Sequence, residues 1–362
     1  MIKSVLIKYL EKIGNQIKFG SLTIELPNGE TLNFSGKKGL NADLKLNSYK
    51  TVLRTIFGGH LGFAESYLKE EWTSSDLESF LEIMVTNLPD SFTPRSRVYI
   101  LYNKIIHFFR ENTKSRAKKN IIYHYDLGND FYRLWLDKTM TYSSGLFKDT
   151  KEDLSKAQEN KYQQIIDQLK IKSHHKILEI GCGWGGFAEY ASKNYNSLLT
   201  AITISKEQYE FSKKRIDKNG LSNSVNIKLV DYRKIRGSFD RIVSIEMIEA
   251  VGEKYWPVYF SQIKNLLKPS GKAAIQVITI DDRYFDGYKK FPDFIQKYIF
   301  PGGMLPSMQV LKKPILQSGL KIDKIDSFGK DYASTLSIWK KQFNRAWPKI
   351  SKLGFDDKFY RM

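Results

Sequence analysis

A glycine-rich stretch, ILEIGCGWGGF, follows a short apolar run and contains Gly181, Gly183 and Gly185. Glycines let a backbone turn sharply and approach a ligand closely, and a helix that begins after them offers unpaired N–H donors. The spacing differs from the GxGxxG of dinucleotide-binding folds. The next apolar run also ends without the acid that would take the ribose hydroxyls of a dinucleotide. The stretch therefore predicts a ligand-binding loop of another kind.

Two other segments carry polar residues that could do chemistry. TYSSGLF places Ser143 and Ser144 side by side, but no neighbouring histidine, lysine or elbow motif supplies the base that a nucleophilic serine needs, so the segment is interpreted as a pocket wall. MIEAVG places Glu249 in an apolar segment after another apolar run, where an acid is costly unless it has a role.

Cysteine and histidine usage excludes several site types. Cys182 is the single cysteine, which rules out an internal disulfide and a multi-cysteine metal site. It is predicted to be a small packed side chain of the glycine loop, because no basic residue beside it in sequence would lower its pKa. The five histidines show no HxxxH or HExxH spacing, so no metal site is predicted.

These residues need a scaffold, and the pattern from Ile121 onward supplies one. Apolar runs separated by helical stretches favour an α/β fold with a doubly wound parallel sheet. The predicted strands are KILEIG (176–181), LLTAITI (198–204), VNIKLVD (225–231), FDRIVSI (239–245) and KAAIQVITI (272–280).

Residues 1–94 are interpreted as a smaller, helix-rich α+β domain. An amphipathic helix opens the chain, and FGSLTIELPNGETLNFSG predicts a β-hairpin around Pro27-Asn28-Gly29. Further helices are predicted from Tyr49 and from the cap Ser74-Ser75-Asp76. Residues 95–120 form a basic connector, and residues 121–362 form the larger domain.

The net charge of +19 predicts an anionic partner, either nucleic acid or an anionic membrane surface; a lysine-rich solvated surface without such a partner is the alternative. Arg95 to Lys119 gathers basic residues interleaved with aromatic ones, a pattern typical of a helix on lipid headgroups. No apolar run approaches the ~18 residues that span a bilayer, and the lysine-rich N-terminus does not resemble a signal peptide. We therefore expect a cytoplasmic protein at the inner face of the membrane.

Eight ordered motifs resemble the cyclopropane fatty acid synthase family, which includes the mycolic acid cyclopropane synthases and related lipid methyltransferases. The motifs are YHYDLGNDFYRLWLD (123–137), TYSSG (141–145), LEIGCGWGGF (178–187), AITISKEQ (201–208), DYR (231–233), EMIEAVG (246–252), DFIQKYIFPGGMLPS (293–307) and DYASTLSIW (331–339). The resemblance implies a class I methyltransferase (Rossmann-like) domain with a lipid-binding insertion at about 281–310. The N-terminal part resembles the sterol-carrier-like domain of longer family members.

The resemblance also implies a cofactor, S-adenosyl-L-methionine, and residues that hold it. Glu179 lies where the family's strand-end acid approaches the amino acid portion of the cofactor. The other residues that match the family's cofactor-binding positions are Tyr142, Ser143, Gly181, Gly183, Gly185, Thr203, Gln208, Asp231 and Tyr232.

The reaction implied by the resemblance is methyl transfer to the cis double bond of a phospholipid acyl chain. A carbocation forms, bound bicarbonate takes a proton, and a cyclopropane ring closes. Glu249, Tyr332 and the backbone of Ile278 match the family's bicarbonate site. Aromatic residues that could stabilise the cation are Tyr123, Tyr125, Phe131, Tyr132, Trp135 and Tyr142, although core packing also explains each one taken alone.

Two positions depart from the most common family pattern. Ser144 replaces a thiol that helps to hold bicarbonate, although serine can still donate a hydrogen bond. Gln276 replaces a histidine; its amide can hold an anion but cannot relay a proton. Together with EMIEAVG, these two residues resemble the pattern of a subgroup that includes plant-type synthases and enzymes that form methylene or methyl branches. Methylene or methyl branching of an acyl chain is therefore the alternative function.

Other functions fit the sequence less well. Nucleic-acid methyltransferases that modify amines use a Pro-Pro motif, and this sequence has no Pro-Pro pair. Another small-molecule methyltransferase remains open, as does a catalytically decayed lipid-binding protein, since a fold alone never proves activity. The family resemblance suggests a homodimer.

Overall fold

The computed structural model of the chain describes residues 2–88 and 127–362. Among these residues it forms two compact units. One contains the described residues up to 88 together with 290–299 and 356–362, and the other contains 127–289 and 300–355. The predicted basic connector and the aromatic residues Tyr123 and Tyr125 lie outside the described residues. The boundaries at 94 and 120 therefore stay predictions.

The first unit has a four-stranded sheet packed with helices. Its elements up to residue 88 are α1 (Ile2–Gly14), β1 (Phe19–Glu25), β2 (Thr31–Ser35), β3 (Lys37–Leu46), α2 (Lys50–Leu68), β4 (Trp72–Thr73) and α3 (Leu77–Asn87). The strand order is β2-β1-β3-β4, and β1 pairs antiparallel with β2. This confirms the predicted hairpin. Asp76 caps α3 by accepting hydrogen bonds from two backbone N–H groups, as the sequence predicts.

The second unit is built on five parallel strands: β5 (Lys176–Ile180), β6 (Leu198–Thr203), β7 (Val225–Leu229), β8 (Phe239–Ile245) and β9 (Leu267–Gln276). The α-helices within residues 127–355 are α4 (Asn129–Arg133), α5 (Leu154–Leu169), α6 (Gly186–Tyr195), α7 (Lys206–Lys218), α8 (Trp256–Leu266), α9 (Asp282–Lys290), α10 (Met308–Gln317) and α11 (Gly329–Ile350). The predicted α/β class is confirmed.

The last strand is displaced from its predicted position. The sequence predicts a strand over 272–280, whereas β9 runs from Leu267 to Gln276. Its neighbour β8 ends at Ile245, which pairs with Gln276, so the ladder between these strands stops there. Gln276 consequently lies at the carboxyl edge of the sheet.

Apolar side chains cover both faces of the parallel sheet. One cluster packs α5 and α6 against the sheet through Tyr162, Phe187 and Val243, and the other packs α8 through Trp256 and Phe260. Burial of each such large side chain contributes about 1.5–3 kcal/mol. Strands covered on both faces read as continuous apolar runs, which is why they were visible in the sequence.

In the strand order β7-β6-β5-β8-β9, the chain adds strands on one side of β5 with β6 and β7 and on the other side with β8 and β9, so β5 is the point where the winding of the sheet reverses. Ligands in such sheets bind outside the carboxyl ends of the strands at this reversal. Separately, no helix within the described ranges is long and apolar enough to cross a bilayer.

Candidate active site

The glycine loop leads from the end of β5 into α6. Gly181 has a φ of 81° and Gly185 a φ of 80°, backbone angles that residues other than glycine rarely adopt. A Cβ on Gly181 would lie 2.8 Å from Cγ of Met247. Any larger residue at 181 would therefore strain the backbone and displace the loop after β8.

A cavity opens at the carboxyl edge of the sheet, where the sequence places its cofactor. Nine predicted cofactor-binding residues line it: Tyr142, Ser143, Glu179, Gly181, Gly183, Thr203, Gln208, Asp231 and Tyr232. Gly185, the tenth, is the N-terminal cap of α6. The wall also includes Glu246, which the sequence analysis did not select.

Glu179 gives the cavity a buried acidic group. Its side chain is 2% exposed, and its Oε2 has no hydrogen-bond partner among the described residues. Burial raises the pKa of Glu179 well above its usual range, and the positive charges of Lys161 and Arg215 oppose that shift. A cationic ligand group would satisfy the unpartnered oxygen. The ammonium group of S-adenosylmethionine fits this requirement.

Thr203, Gln208, Asp231 and Tyr232, four of the predicted cofactor-binding residues, form another part of the cavity wall. The Thr203 hydroxyl donates to Oε1 of Gln208 at 2.8 Å, which holds the glutamine amide in one orientation. Arg233 Nε lies 2.8 Å from Oδ1 of Asp231. Burial acts to raise the pKa of Asp231, but hydrogen bonds from the side chain and backbone of Arg233 outweigh burial and lower it. The Tyr232 hydroxyl is buried without a partner among the described residues, and burial raises its pKa to about 12.

Hydrogen-bond donors from three distant segments converge on Glu246, directly after β8. The backbone N–H of Ser144 donates to Oε1 at 3.0 Å, and the Gln276 amide donates to the same oxygen at 2.7 Å. The Tyr332 hydroxyl also bonds to this side chain. Glu246 has a φ of 47°, which costs a residue other than glycine about 1–2 kcal/mol.

This arrangement does not fit the bicarbonate site that the family resemblance implies. Three residues expected to hold bicarbonate, Ser144, Gln276 and Tyr332, already bind the carboxylate of Glu246. The backbone of Ser144 makes this contact, rather than the expected hydroxyl, because the hydroxyl donates to the carbonyl of Gly145 at 2.9 Å.

Glu249 lies one turn further along the chain, in a short 3-10 helix. Its Oε1 accepts a hydrogen bond of 2.6 Å from the backbone N–H of Ile278, so these two predicted residues do meet. Its Oε2 is buried without a partner in the described part of the chain. Burial, together with the nearby charge of Glu246, raises the pKa of Glu249 to about 8.

Lys161 is a second functional candidate that sequence reasoning missed. This α5 lysine is 1% exposed, and its Nζ donates to the Ser143 hydroxyl at 2.5 Å. Burial lowers the pKa of Lys161 to about 8, while Glu246 is the foremost of the carboxylates that oppose the shift. A buried lysine within an otherwise unremarkable helical segment gives no sequence signal.

Aromatic rings pack around Tyr142 in the cavity wall. The ring centroid of Tyr142 lies 5.1 Å from that of Trp339, 5.5 Å from Trp135 and 5.6 Å from Tyr132. Tyr332 in turn packs edge-on against Trp339 at 6.4 Å. Such faces stabilise a cation in a site from which water is excluded.

Two other chemistries find no support in this site. Burial raises the pKa of the Cys182 thiol well above its usual value, so this cysteine is not an activated nucleophile. Within residues 2–88 and 127–362, no group of histidine, cysteine or acidic side chains could hold a metal ion.

Comparisons with known proteins place this chain among relatives of one family. A family profile described as mycolic acid cyclopropane synthetase matches residues 112–362. Tuberculostearic acid methyltransferase UfaA1 of Mycobacterium tuberculosis is 36% identical over 316 residues, which cover 84% of this chain and 73% of that protein. Cyclopropane-fatty-acyl-phospholipid synthase of Escherichia coli (strain K12) is 34% identical over 330 residues, covering 89% of this chain and 81% of that one.

A solved structure, mycolic acid cyclopropane synthase CmaA1 complexed with SAH and CTAB, superposes with a TM-score of 0.64. It is 28% identical, and the match covers 67% of this chain and 89% of that one. The parallel sheet and the cavity at its carboxyl edge are thus set in a fold that other methyltransferases share.

Proposed function

The chain belongs to the mycolic acid cyclopropane synthetase family of S-adenosylmethionine-dependent methyltransferases, and on that premise we propose that it methylates unsaturated acyl chains of membrane phospholipids. The methyl group goes to the cis double bond, and a cyclopropane ring is the first candidate product. The observation that carries the proposal is the convergence on Glu246 of three hydrogen-bond donors, in a cavity walled by aromatic rings.

This combination suits a reaction that passes through a carbocation. S-adenosylmethionine, when bound, supplies an electrophilic methyl group. Glu179 would hold the ammonium end of that cofactor, and the hydroxyl of Ser143, fixed by Lys161, would border it. The rings of Tyr142 and Trp339 would stabilise the positive charge that methylation leaves on the acyl chain.

The methylene or methyl-branched product is the second candidate. A specific observation favours it: Ser144, Gln276 and Glu246 form one hydrogen-bonded unit in place of a bicarbonate site. Both departures from the common family pattern, Ser144 for a thiol and Gln276 for histidine, lie in that unit. One similar protein is named a tuberculostearic acid methyltransferase. The cyclopropane and the branched product differ in where the new bond forms when a proton is lost. The hydrogen-bonded unit of Ser144, Gln276 and Glu246 therefore bears directly on which product forms.

The lipid would reach the enzyme at a membrane surface. The charge of +19 supports binding to anionic headgroups, and the protein would act in the cytoplasm at the inner face of the membrane. A homodimer belongs to the same proposal. A decayed lipid-binding protein is the contrary outcome, in which lipid and cofactor bind but no methyl group is transferred.

The proposal is tested with purified protein, S-adenosylmethionine and anionic vesicles that contain a cis-unsaturated phospholipid. Mass spectrometry of the acyl chains should show the gain of one CH2 unit. Proton NMR then separates the products, because ring protons resonate upfield and a methylene branch gives vinylidene signals. Binding of both ligands without any mass gain would overturn the proposed function.

A further inference from the structure

We propose that the Glu246 carboxylate permanently occupies the anion position of this active site and serves as the proton acceptor, so that the enzyme needs no bicarbonate. The part of this inference that concerns proton transfer rests on the proposed function, because that function identifies the group that loses the proton. The part that concerns the occupied anion position rests only on the contacts of Glu246.

The hydrogen bonds define an anion position built from separate parts of the fold. The Ser144 N–H comes from the segment before α5, the Gln276 amide from the end of β9 and the Tyr332 hydroxyl from α11. The donors of Ser144 and Gln276 meet at the same oxygen, Oε1, at 3.0 and 2.7 Å. Convergent donors of this kind bind a carboxylate or a planar oxyanion equally well, and here the chain supplies its own.

The backbone at Glu246 supports a role beyond packing. Its φ of 47° lies in the left-handed region that favours glycine, yet an acidic residue is present. Strain of this kind persists where the surrounding structure and a functional need hold it in place. The strained backbone turns the side chain back toward Ser144 and Gln276, which lie 102 and 30 residues away in sequence.

The charges around the pair of acids separate their roles. Enclosure by protein raises the pKa of Glu246, while Lys161 and the three donors oppose that shift and favour the carboxylate. Burial raises the pKa of Glu249, and the charge of Glu246 raises it further, while the hydrogen bond from the backbone N–H of Ile278 opposes the shift. Two neighbouring carboxyls in unequal surroundings divide in this way into an acceptor and a protonated partner.

The chemical step balances on groups already named. The double bond gives its electron pair to the methyl carbon, the S–C bond pair stays on sulfur, and the adjacent carbon becomes cationic. One C–H bond of the new methyl group then breaks, and its proton goes to an oxygen of Glu246. The electron pair of that C–H bond then closes the ring. In the alternative, a hydride first moves from the methylated carbon to the cationic carbon, and the electron pair left by the lost proton forms the exocyclic double bond.

Glu246→Gly is the decisive variant because glycine adopts the backbone conformation at 246 without strain, and the variant should therefore fold. It leaves Ser144, Gln276 and Tyr332 facing an empty anion position. Glu246→Gln keeps the size of the side chain but removes the acceptor. Glu210→Gln, an exposed substitution on α7, is the matched control.

The first measurement is binding of [13C]bicarbonate, followed by NMR in the absence of lipid. We expect saturable binding by Glu246→Gly and none by the wild-type or Glu210→Gln proteins. Saturable binding by the wild-type protein would overturn the proposal. Binding by neither protein would contradict the view that these donors form an anion position.

The second measurement is turnover in CO2-free buffer. The wild-type rate should not change when bicarbonate is added, while Glu246→Gln should lose about 10²- to 10⁴-fold, the usual contribution of a general base. Added bicarbonate should restore part of the Glu246→Gly rate. A wild-type rate that depends on bicarbonate would overturn the inference. Failure of the wild-type protein to turn over any unsaturated lipid would contradict the proposed function, while the binding measurement would still decide the occupancy of the anion position.

Discussion

The amide nitrogen of Gln276 lies 2.7 Å from Oε1 of Glu246, and the backbone N–H of Glu246 donates to the carbonyl of Gln276 at 2.9 Å, so two hydrogen bonds join the ends of β8 and β9. The two strands end opposite each other because Ile245 pairs with Gln276. This register brings the glutamine amide next to the residue that follows Ile245. The acid and its amide partner are thus positioned by the register of the sheet itself.

Replacement of Glu179 should weaken cofactor binding. We expect Glu179→Gln to bind S-adenosylmethionine about 10- to 100-fold more weakly, since a hydrogen bond to a charged group contributes about 1.5–3 kcal/mol. Isothermal titration calorimetry measures the affinity, with the exposed Glu210→Gln as control. An affinity within twofold of the wild-type value would contradict the role given to Glu179.

Cofactor binding should also release a proton. Burial raises the pKa of Glu179 well above its ordinary value in the free protein, and an adjacent ammonium group would lower it again. The bound form is therefore less protonated, and affinity should rise with pH up to the raised pKa. Calorimetry in two buffers of different ionisation enthalpy counts the protons. Equal heats in both buffers at neutral pH would rule out this linkage.

Removal of the buried lysine should shift the pH dependence of turnover. The charge of Lys161 favours the ionised form of Glu246. The other groups that face Glu246 are the carboxyl of Glu249 and the hydroxyl of Tyr332. In Lys161→Met the pKa of Glu246 should rise, so the acid limb of the kcat profile should move to higher pH. A merely structural lysine would lower kcat at every pH without moving the limb.

Glu249 should make the stability of the fold depend on pH. Its pKa is about 8 in the folded chain and 4.5 as an ordinary glutamate, so folding favours the protonated form. This contribution is complete below pH 4.5 and is lost as pH rises through 8. The Tm of Glu249→Gln should therefore gain on the wild-type Tm between pH 5 and pH 8. Parallel Tm curves over that range would show that the carboxyl is not perturbed.

Membrane association should weaken as salt rises. The charge of +19 attracts anionic headgroups, and exposed charges are screened over about 10 Å at 0.1 M salt. Sedimentation with anionic vesicles at 0.05 M and 0.5 M salt measures the effect, with neutral vesicles as control. Association that persists unchanged at high salt would indicate apolar insertion instead.

Local sequence patterns predicted much of the fold. Parallel strands covered on both faces form continuous apolar runs, so β5 to β8 were located to within about two residues. The hairpin around Gly29 and the cap at Asp76 were visible because turn and cap chemistry is local. The position of β9 was not, because its end depends on where its neighbour β8 stops.

The site was only partly predictable for a related reason. The glycine loop and Glu179 follow one another in sequence, so their proximity needed no tertiary information. Glu246 was visible in EMIEAVG, but its partners Ser144 and Gln276 are far away in the chain, and its unusual backbone leaves no mark in a sequence. Lys161 was hidden in the same way, because only packing shows that it is buried.

The most direct test of the account is analysis of membrane lipids after expression in a host that lacks its own cyclopropane synthase. Mass spectrometry should reveal unsaturated acyl chains heavier by one CH2 unit in cells with the wild-type protein, and far fewer in cells with Glu246→Gln at equal protein level. Unmodified acyl chains in the wild-type cells, despite folded protein that binds S-adenosylmethionine, would contradict the central claim that this chain methylates lipid double bonds.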